Sequence, residues 1–224
     1  MKRLEFIGVG GATNIEFGGN GCFVKDNNNL VIIDTPEEAT KKLLDAKAFN
    51  KVNNIYIILT HAHYDHVAGL GVLVWYVNFY LNIKPNIIYS TNKYKRTINK
   101  LLKITGVHSK FYNFIKDKDT NLSFKINMVP TIHSEGLECF GIMFEDKDGK
   151  YYYTGDTKDI NYIKELNDDP EVKIIYSEVA TETYDAHIKY DDIKDLNKEK
   201  FVLMHFDKIE LYNKAKKDGF NVGK

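Results

Sequence analysis

Short apolar runs closed by glycine, asparagine or proline recur along the chain, and each predicts a strand. The first three lie at residues 4–9, 22–25 and 30–34, and the last two flank the turn Asn27-Asn28-Asn29, which makes them a β-hairpin. Pro36 opens a helix to about residue 48, at an early position where its missing N–H is harmless, and residues 55–59 follow as a buried strand. After a long apolar segment at residues 67–81 come a strand at 86–90, a helix at 93–104 and strands at 111–115 and 122–129. A second hairpin pairs residues 140–145 with 151–154 around Asp146-Lys147-Asp148-Gly149. Helices at 159–166, 190–196 and 210–217 and strands at 173–177 and 201–204 complete the pattern. With no linker, repeat or low-complexity block, residues 1–224 read as a single α/β domain of two packed sheets with helices on the outer faces.

The segment 67–81 is helical in length but apolar on almost every side. Leu70, Leu73, Val74, Val77 and Leu81 cannot share one face with Val72, Trp75, Tyr76, Phe79 and Tyr80. A helix lying on a sheet needs only one apolar stripe, and the second exceeds what a soluble monomer usually exposes, so a homodimer built on this helix is expected, the alternative being that other helices of the same chain cover it.

Composition narrows the field. In 224 residues, 43% hydrophobic content supports a real core and excludes disorder or a small disulfide scaffold. Thirty-one Lys plus Arg offset thirty-one Asp plus Glu, which removes the long-range positive field of an extended nucleic-acid surface. Cys22 and Cys139 form no C-x-x-C pair and read as packing residues in a reducing compartment, so any metal must be held by histidine and carboxylate. The N-terminal segment is too glycine-broken for a secretory signal and no apolar run makes a clean bilayer span, so a soluble, cytoplasmic protein is expected.

The histidines carry the chemistry. His61-Ala62-His63-Tyr64-Asp65-His66 places four potential ligands in six residues between a strand and a helix. His61 and His63 can address one ion while Asp65 and His66 address a second, as two-metal hydrolytic sites require. His133, Asp156 and His205 each lie at the carboxyl end of a predicted strand, where sheets gather ligands from distant parts of a chain, and Asp156 suits a bridge. An imidazole-rich set with two carboxylates favours two divalent ions, zinc first, with manganese a functional substitute. Gly8, Gly10 and Gly11 lack the helix of a dinucleotide loop and instead suit close backbone approach to the metal site.

The run at 61–66, Asp34 in LVIID, His133 in PTIHS, Asp156 in YTGDT and His205 in FVLMHF together resemble the metallo-β-lactamase-fold hydrolases. The resemblance implies an αββα sandwich in which His61, His63 and His133 hold one metal, Asp65, His66 and His205 the other, and Asp156 bridges them. The segment IIYSEVATETYDAHIKYDDI further resembles the ribonuclease Z branch, where a Glu and a His form a proton-donating pair, matched here by Glu178 and His187. An alkoxide leaving a phosphodiester needs such a proton. Asp65 would then both bind metal and orient the attacking water. Only 22 residues separate His133 from Asp156, which leaves no room for the long arm with which ribonuclease Z grips transfer RNA. What remains is similar to small cyclic-nucleotide phosphodiesterases, among them phage anti-Pycsar nucleases that destroy host alarm signals, which implies a cyclic-nucleotide substrate and, for a viral enzyme, the host cytoplasm. A transfer-RNA 3′ endonuclease, a lactone or thioester hydrolase, and a non-catalytic metal-binding subunit stay open as alternatives.

Overall fold

The computed structural model describes residues 3–182 and 185–223, and their strands form two six-stranded sheets. In the first, β1 (Glu5–Gly8), β2 (Gly21–Asp26), β3 (Asn29–Ile33), β4 (Asn54–Ile58), β5 (Asn86–Tyr89) and β6 (Asn113–Lys116) lie side by side in chain order. The β1, β2 and β3 pairings are antiparallel and the β3 to β6 pairings parallel. The second sheet repeats this plan with β7 (Lys125–Thr131), β8 (Cys139–Asp146), β9 (Gly149–Tyr153), β10 (Val172–Glu178), β11 (Phe201–Met204) and β12 (Asn221–Val222). Its first three strands form an antiparallel meander and the rest run parallel.

Helices α1 (Ala39–Asp45), α2 (Tyr64–Val67), α3 (Leu70–Phe79), α4 (Asn92–Ile104), α5 (Ile160–Asp168), α6 (Tyr190–Ile193) and α7 (Ile209–Lys217) lie among the strand connections. Val31, Ile32, Ile33, Ile57 and Ile58 are fully buried although successive residues face opposite ways, so the β3–β4 region is covered on both faces. This is the αββα sandwich expected from the sequence.

Several boundaries differ, for local reasons. The helix expected over 67–81 begins only at Leu70 as α3, Gly69 separating it from the short α2, which takes in Tyr64 to His66 of the histidine run and Val67. There the Gly69 N–H donates to the Thr35 carbonyl at 2.8 Å, and a Cβ would sit 2.2 Å from the Pro36 carbonyl oxygen. The strand expected at 111–115 begins only at Asn113, because Ser109–Phe111 form a 3-10 turn whose Lys110 N–H is accepted by His108 Nδ1 at 3.2 Å. His108, the one histidine outside the candidate chemistry, thus has a capping role. The expected helices at 36–48 and 190–196 shorten to α1 and α6, and β12 is only two residues long, too short to leave a periodic signal. Cys22 and Cys139 are buried and free, and Tyr151, Tyr152 and Tyr153 are all buried in β9.

The two apolar faces of α3 are both real. Leu70, Leu73, Val74 and Val77 are buried and Leu81, past the helix, is half-buried. Val72, Trp75, Phe79 and the capping Tyr80 are 56, 38, 60 and 76% exposed, whereas Tyr76, expected on the same face, is half-buried against Phe49. No described helix is long and apolar enough to cross a membrane.

Candidate metal centre

Strands of both sheets end at one place and deliver the site there. Beyond β4 come His61 and His63, and α2 carries Asp65 and His66. From the second sheet, His133 follows β7, Asp156 follows β9, Glu178 closes β10 and His205 follows β11. Asp34, just past β3, and His205 both adopt positive φ, 57° each, a conformation non-glycine residues rarely take and one that concentrates at functional sites.

Three clusters of possible ligands result, each with donor atoms within 4.8 Å of one another: His61, His63, His133 and Asp156 in one, Asp65, His66, His205 and Asp156 in a second, and Asp156, Glu178, His187 and His205 in a third that overlaps the second. In the first, His63 Nδ1 lies 2.9 Å from His61 Nε2 and 3.2 Å from His133 Nε2. In the second, Asp65 Oδ2 lies 3.2 Å from His66 Nε2 and 3.4 Å from His205 Nε2. Asp156 Oδ2 reaches both, 3.4 Å from His66 and His205 and 3.7 to 3.8 Å from His133 and His61. Converging imidazole nitrogens fit a divalent cation, and buried His66 Nε2 and Asp156 Oδ1 have no hydrogen-bond partner, which such a cation would satisfy. The nitrogen-and-oxygen donor set suits borderline ions such as zinc.

The electrostatics divide the clusters. Burial, reinforced by neighbouring imidazoles, pushes His61 and His63 below the usual histidine range; burial likewise lowers His133. The shift favours the neutral form in all three, the form that ligates metal. In the second cluster burial opposes charge, but Asp156 and Asp34 beside His66, and Asp156 and Asp65 beside His205, raise both histidines above their ordinary value. Burial opposes ionisation of the carboxylates too; His205 and His66 nonetheless hold Asp65 and Asp156 well below the ordinary carboxylate range.

A second layer of contacts orients these ligands. Wholly buried Asp34 accepts from His66 Nδ1 at 2.9 Å, from the Thr60 N–H at 2.8 Å and from the Thr60 hydroxyl, which also contacts His61 Nδ1 at 3.1 Å. His133 Nδ1 donates to the Ala186 carbonyl at 2.8 Å. In each case the other ring nitrogen is left for the cluster, the usual arrangement around metal-binding imidazoles. The sequence pointed to Asp34 only as part of a motif, and Thr60 and Ala186 not at all. A carboxylate ending an otherwise apolar strand was the available signal for Asp34; a backbone carbonyl leaves none.

Glu178 and His187 meet in the third cluster. His187 Nδ1 lies 2.7 Å from Glu178 Oε2, and Glu178 Oε1 accepts from the Thr157 N–H. Burial and the nearby Asp156 charge push the Glu178 carboxyl well above its ordinary range. His187 and His205 line a cavity of about 300 Å³ with Gly11, Thr13, Ala180 and Lys208, a size that admits a small organic ligand. Every site residue expected from the sequence is thus brought to one place. The glycine expectation holds only for Gly11, where a Cβ would lie 3.3 Å from the His205 ring; Gly8 and Gly10 press instead on the backbone of Gly18 and Gly19 and of Asn14 and Gly18, respectively.

Comparison with known proteins agrees with this geometry. The family model of the anti-Pycsar protein Apyc1 matches residues 2–222. An anti-Pycsar protein Apyc1 of Paenibacillus harenae is 22% identical over 227 residues, covering 94% of this chain and 92% of that protein. Ribonuclease Z of Sulfurisphaera tokodaii is 27% identical over 149 residues, 66% of this chain; the match spans only half, 50%, of that relative's length. Among solved structures, the metallo-β-lactamase fold protein YhfI of Bacillus subtilis superposes with a TM-score of 0.75 at 19% identity, covering 98% of this chain and 94% of that one.

Proposed function

The chain belongs to the anti-Pycsar protein Apyc1 family, and from that premise we propose that it is a metal-dependent phosphodiesterase that opens small cyclic nucleotides, in the service of a phage evading a host cyclic-nucleotide signal. The observation that carries this reading is the placement of the Glu178–His187 pair, joined at 2.7 Å, against two carboxylate-linked histidine clusters.

His61, His63 and His133 would hold one divalent ion and Asp65, His66 and His205 the other, with Asp156 shared, zinc being the first choice and manganese a substitute. When bound, the ions supply Lewis-acid activation of water and neutralise the phosphate's charge. The chain's own residues do the rest. Asp65, at the mouth of the second cluster, orients the attacking water. His187, its Nδ1 fixed by Glu178, presents Nε2 to the leaving ribose oxygen and gives it a proton. Hydrolysis of an activated lactone or thioester has less need of that donor.

The transfer-RNA reading loses its physical support between His133 and Asp156. There the chain builds only the β8–β9 hairpin, whose strands are joined by Lys147 and Asp148. A panel of 2′,3′- and 3′,5′-cyclic nucleotides, an unprocessed transfer RNA and a lactone, assayed with and without chelator, separates the possibilities. Chelator-sensitive turnover confined to cyclic nucleotides is expected; cleavage of transfer RNA or lactone alone would overturn the assignment.

The exposed face of α3 supports a homodimer, with Val72, Trp75, Phe79 and Tyr80 as its apolar contact. Because α3 follows the metal-bearing α2 after two residues, a partner seated there would also stiffen His66. Sedimentation equilibrium at micromolar concentration should give twice the chain mass for the parent and a monomer for Trp75→Glu; a monomeric parent would refute the dimer.

A further inference from the structure

Proton donation requires that His187 be held steadily over the site, yet it sits in the connection between β10 and α6. Four sets of contacts pin the described part of that connection, one of them the Lys158 ammonium donating to Asp185 at 2.9 Å, two residues before His187. Ala180, just before the entrance, clasps the far end: its N–H donates to the Ile188 carbonyl at 3.0 Å and its carbonyl accepts from the Tyr190 N–H at 3.3 Å. Next to His187, the Ala186 carbonyl accepts from His133. At the near end, beside an ion pair of Lys208 with Glu182 at 4.0 Å, one carboxylate takes three hydrogen bonds. Asp207 accepts from the Thr181 N–H at 2.9 Å, the Thr181 hydroxyl at 3.1 Å and the Glu182 N–H at 3.1 Å.

Asp207 is two residues beyond His205, so these bonds tie the start of the His187 segment to the strand end that presents a candidate metal ligand. It belongs to none of the ligand clusters, although it borders the same cavity as His187 and His205. Hydrogen bonds to a carboxylate are stronger than neutral ones, and three on one group define position as well as distance. We infer that Asp207 is a positioning residue for the proton donor: it fixes the entrance of the segment so that His187 stays against Glu178 and over the leaving oxygen. The inference rests on the reading of His187 as proton donor.

A double-mutant cycle tests it. Asp207→Ala should lower kcat on a 3′,5′-cyclic nucleotide about ten- to a hundredfold, within the loss caused by His187→Ala, with KM little changed. In the His187→Ala background the same substitution should change the rate by less than about twofold, since a residue that acts only through His187 has nothing left to position. Metal content should stay that of the parent, and Asp207→Asn, whose amide oxygen can still accept from the backbone, should recover most of the rate. Equal losses in both backgrounds, loss of metal, or an unchanged rate would overturn the inference. The proton NMR signal of His187 Nδ1–H gives a readout that needs no substrate: it should persist in the parent and Asp207→Asn and exchange rapidly in Asp207→Ala. If the parent turned over no cyclic nucleotide, the proposed function would fail, while an Nδ1–H signal unaltered by Asp207→Ala would refute the positioning role separately.

Discussion

Replacing Asp34 by asparagine should weaken one metal position more than the other. Its carboxylate is wholly buried and accepts from His66 Nδ1, the Thr60 N–H and hydroxyl, and, at 3.3 Å, the Tyr153 hydroxyl. All four partners approach as donors. If the asparagine carbonyl keeps the Thr60 N–H, its NH₂ faces His66 Nδ1, which must then accept. The imidazole proton is forced onto Nε2, the atom turned toward Asp65 and Asp156 and the one a metal would use. Loss of such an orienting partner costs about 10- to 100-fold in metal affinity, or ~1.4–2.7 kcal/mol. His61 feels the change only through the Thr60 hydroxyl, so its cluster should lose less than about tenfold. Losing two charge-assisted hydrogen bonds should also destabilise the metal-free fold by about 3 kcal/mol, roughly 6–12 °C in Tm. Competition against a chromophoric chelator resolves the two binding steps: one ion should bind nearly as in the parent and the second 10- to 100-fold more weakly. Two ions bound at unchanged affinity would refute the orienting role of Asp34; equal weakening of both would refute its selectivity.

His187→Ala should retain both ions and the fold but lose about 10²–10⁴-fold in kcat, measured by steady-state kinetics on a cyclic nucleotide; an unchanged rate would remove the proton donor. Metal loading should depend on pH unevenly. Neighbouring carboxylates raise His66 and His205 above the usual histidine range, which favours the protonated form that an incoming ion must displace, so affinity at that cluster should fall as pH falls, about tenfold per unit for each proton displaced. The cluster of His61, His63 and His133, shifted toward the neutral form, should load with little pH dependence near neutrality, which isothermal titration in buffers of different ionisation enthalpy would reveal as proton release for one ion only.

The candidate metal ligands were legible because each is a histidine or carboxylate placed at the end of an apolar run, and chemistry of that kind needs particular residue types. Glu178 and His187 were legible through resemblance, since nothing local marks a glutamate at the end of β10 as buried against a histidine nine residues on. The break between α2 and α3 was hidden because it depends on the 35–36 backbone pressing against Gly69, a contact made only in the folded chain. Asp207 was hidden for a similar reason: a charged residue after a strand reads as solvated until Thr181 and Glu182 are seen to donate to it. The two hairpins were legible, because their turns carry local signals; the strand order and the parallel pairings that follow rest on long-range packing.

The most direct test is to follow a 3′,5′-cyclic nucleotide by phosphorus NMR while metal-free protein is titrated with zinc or manganese. Nucleoside monophosphate should appear as the sole product, its rate climbing until two equivalents per chain are bound and vanishing on addition of chelator. Full turnover by the chelated protein, or none at any loading of a correctly folded chain, would contradict the assignment of a two-metal cyclic-nucleotide phosphodiesterase.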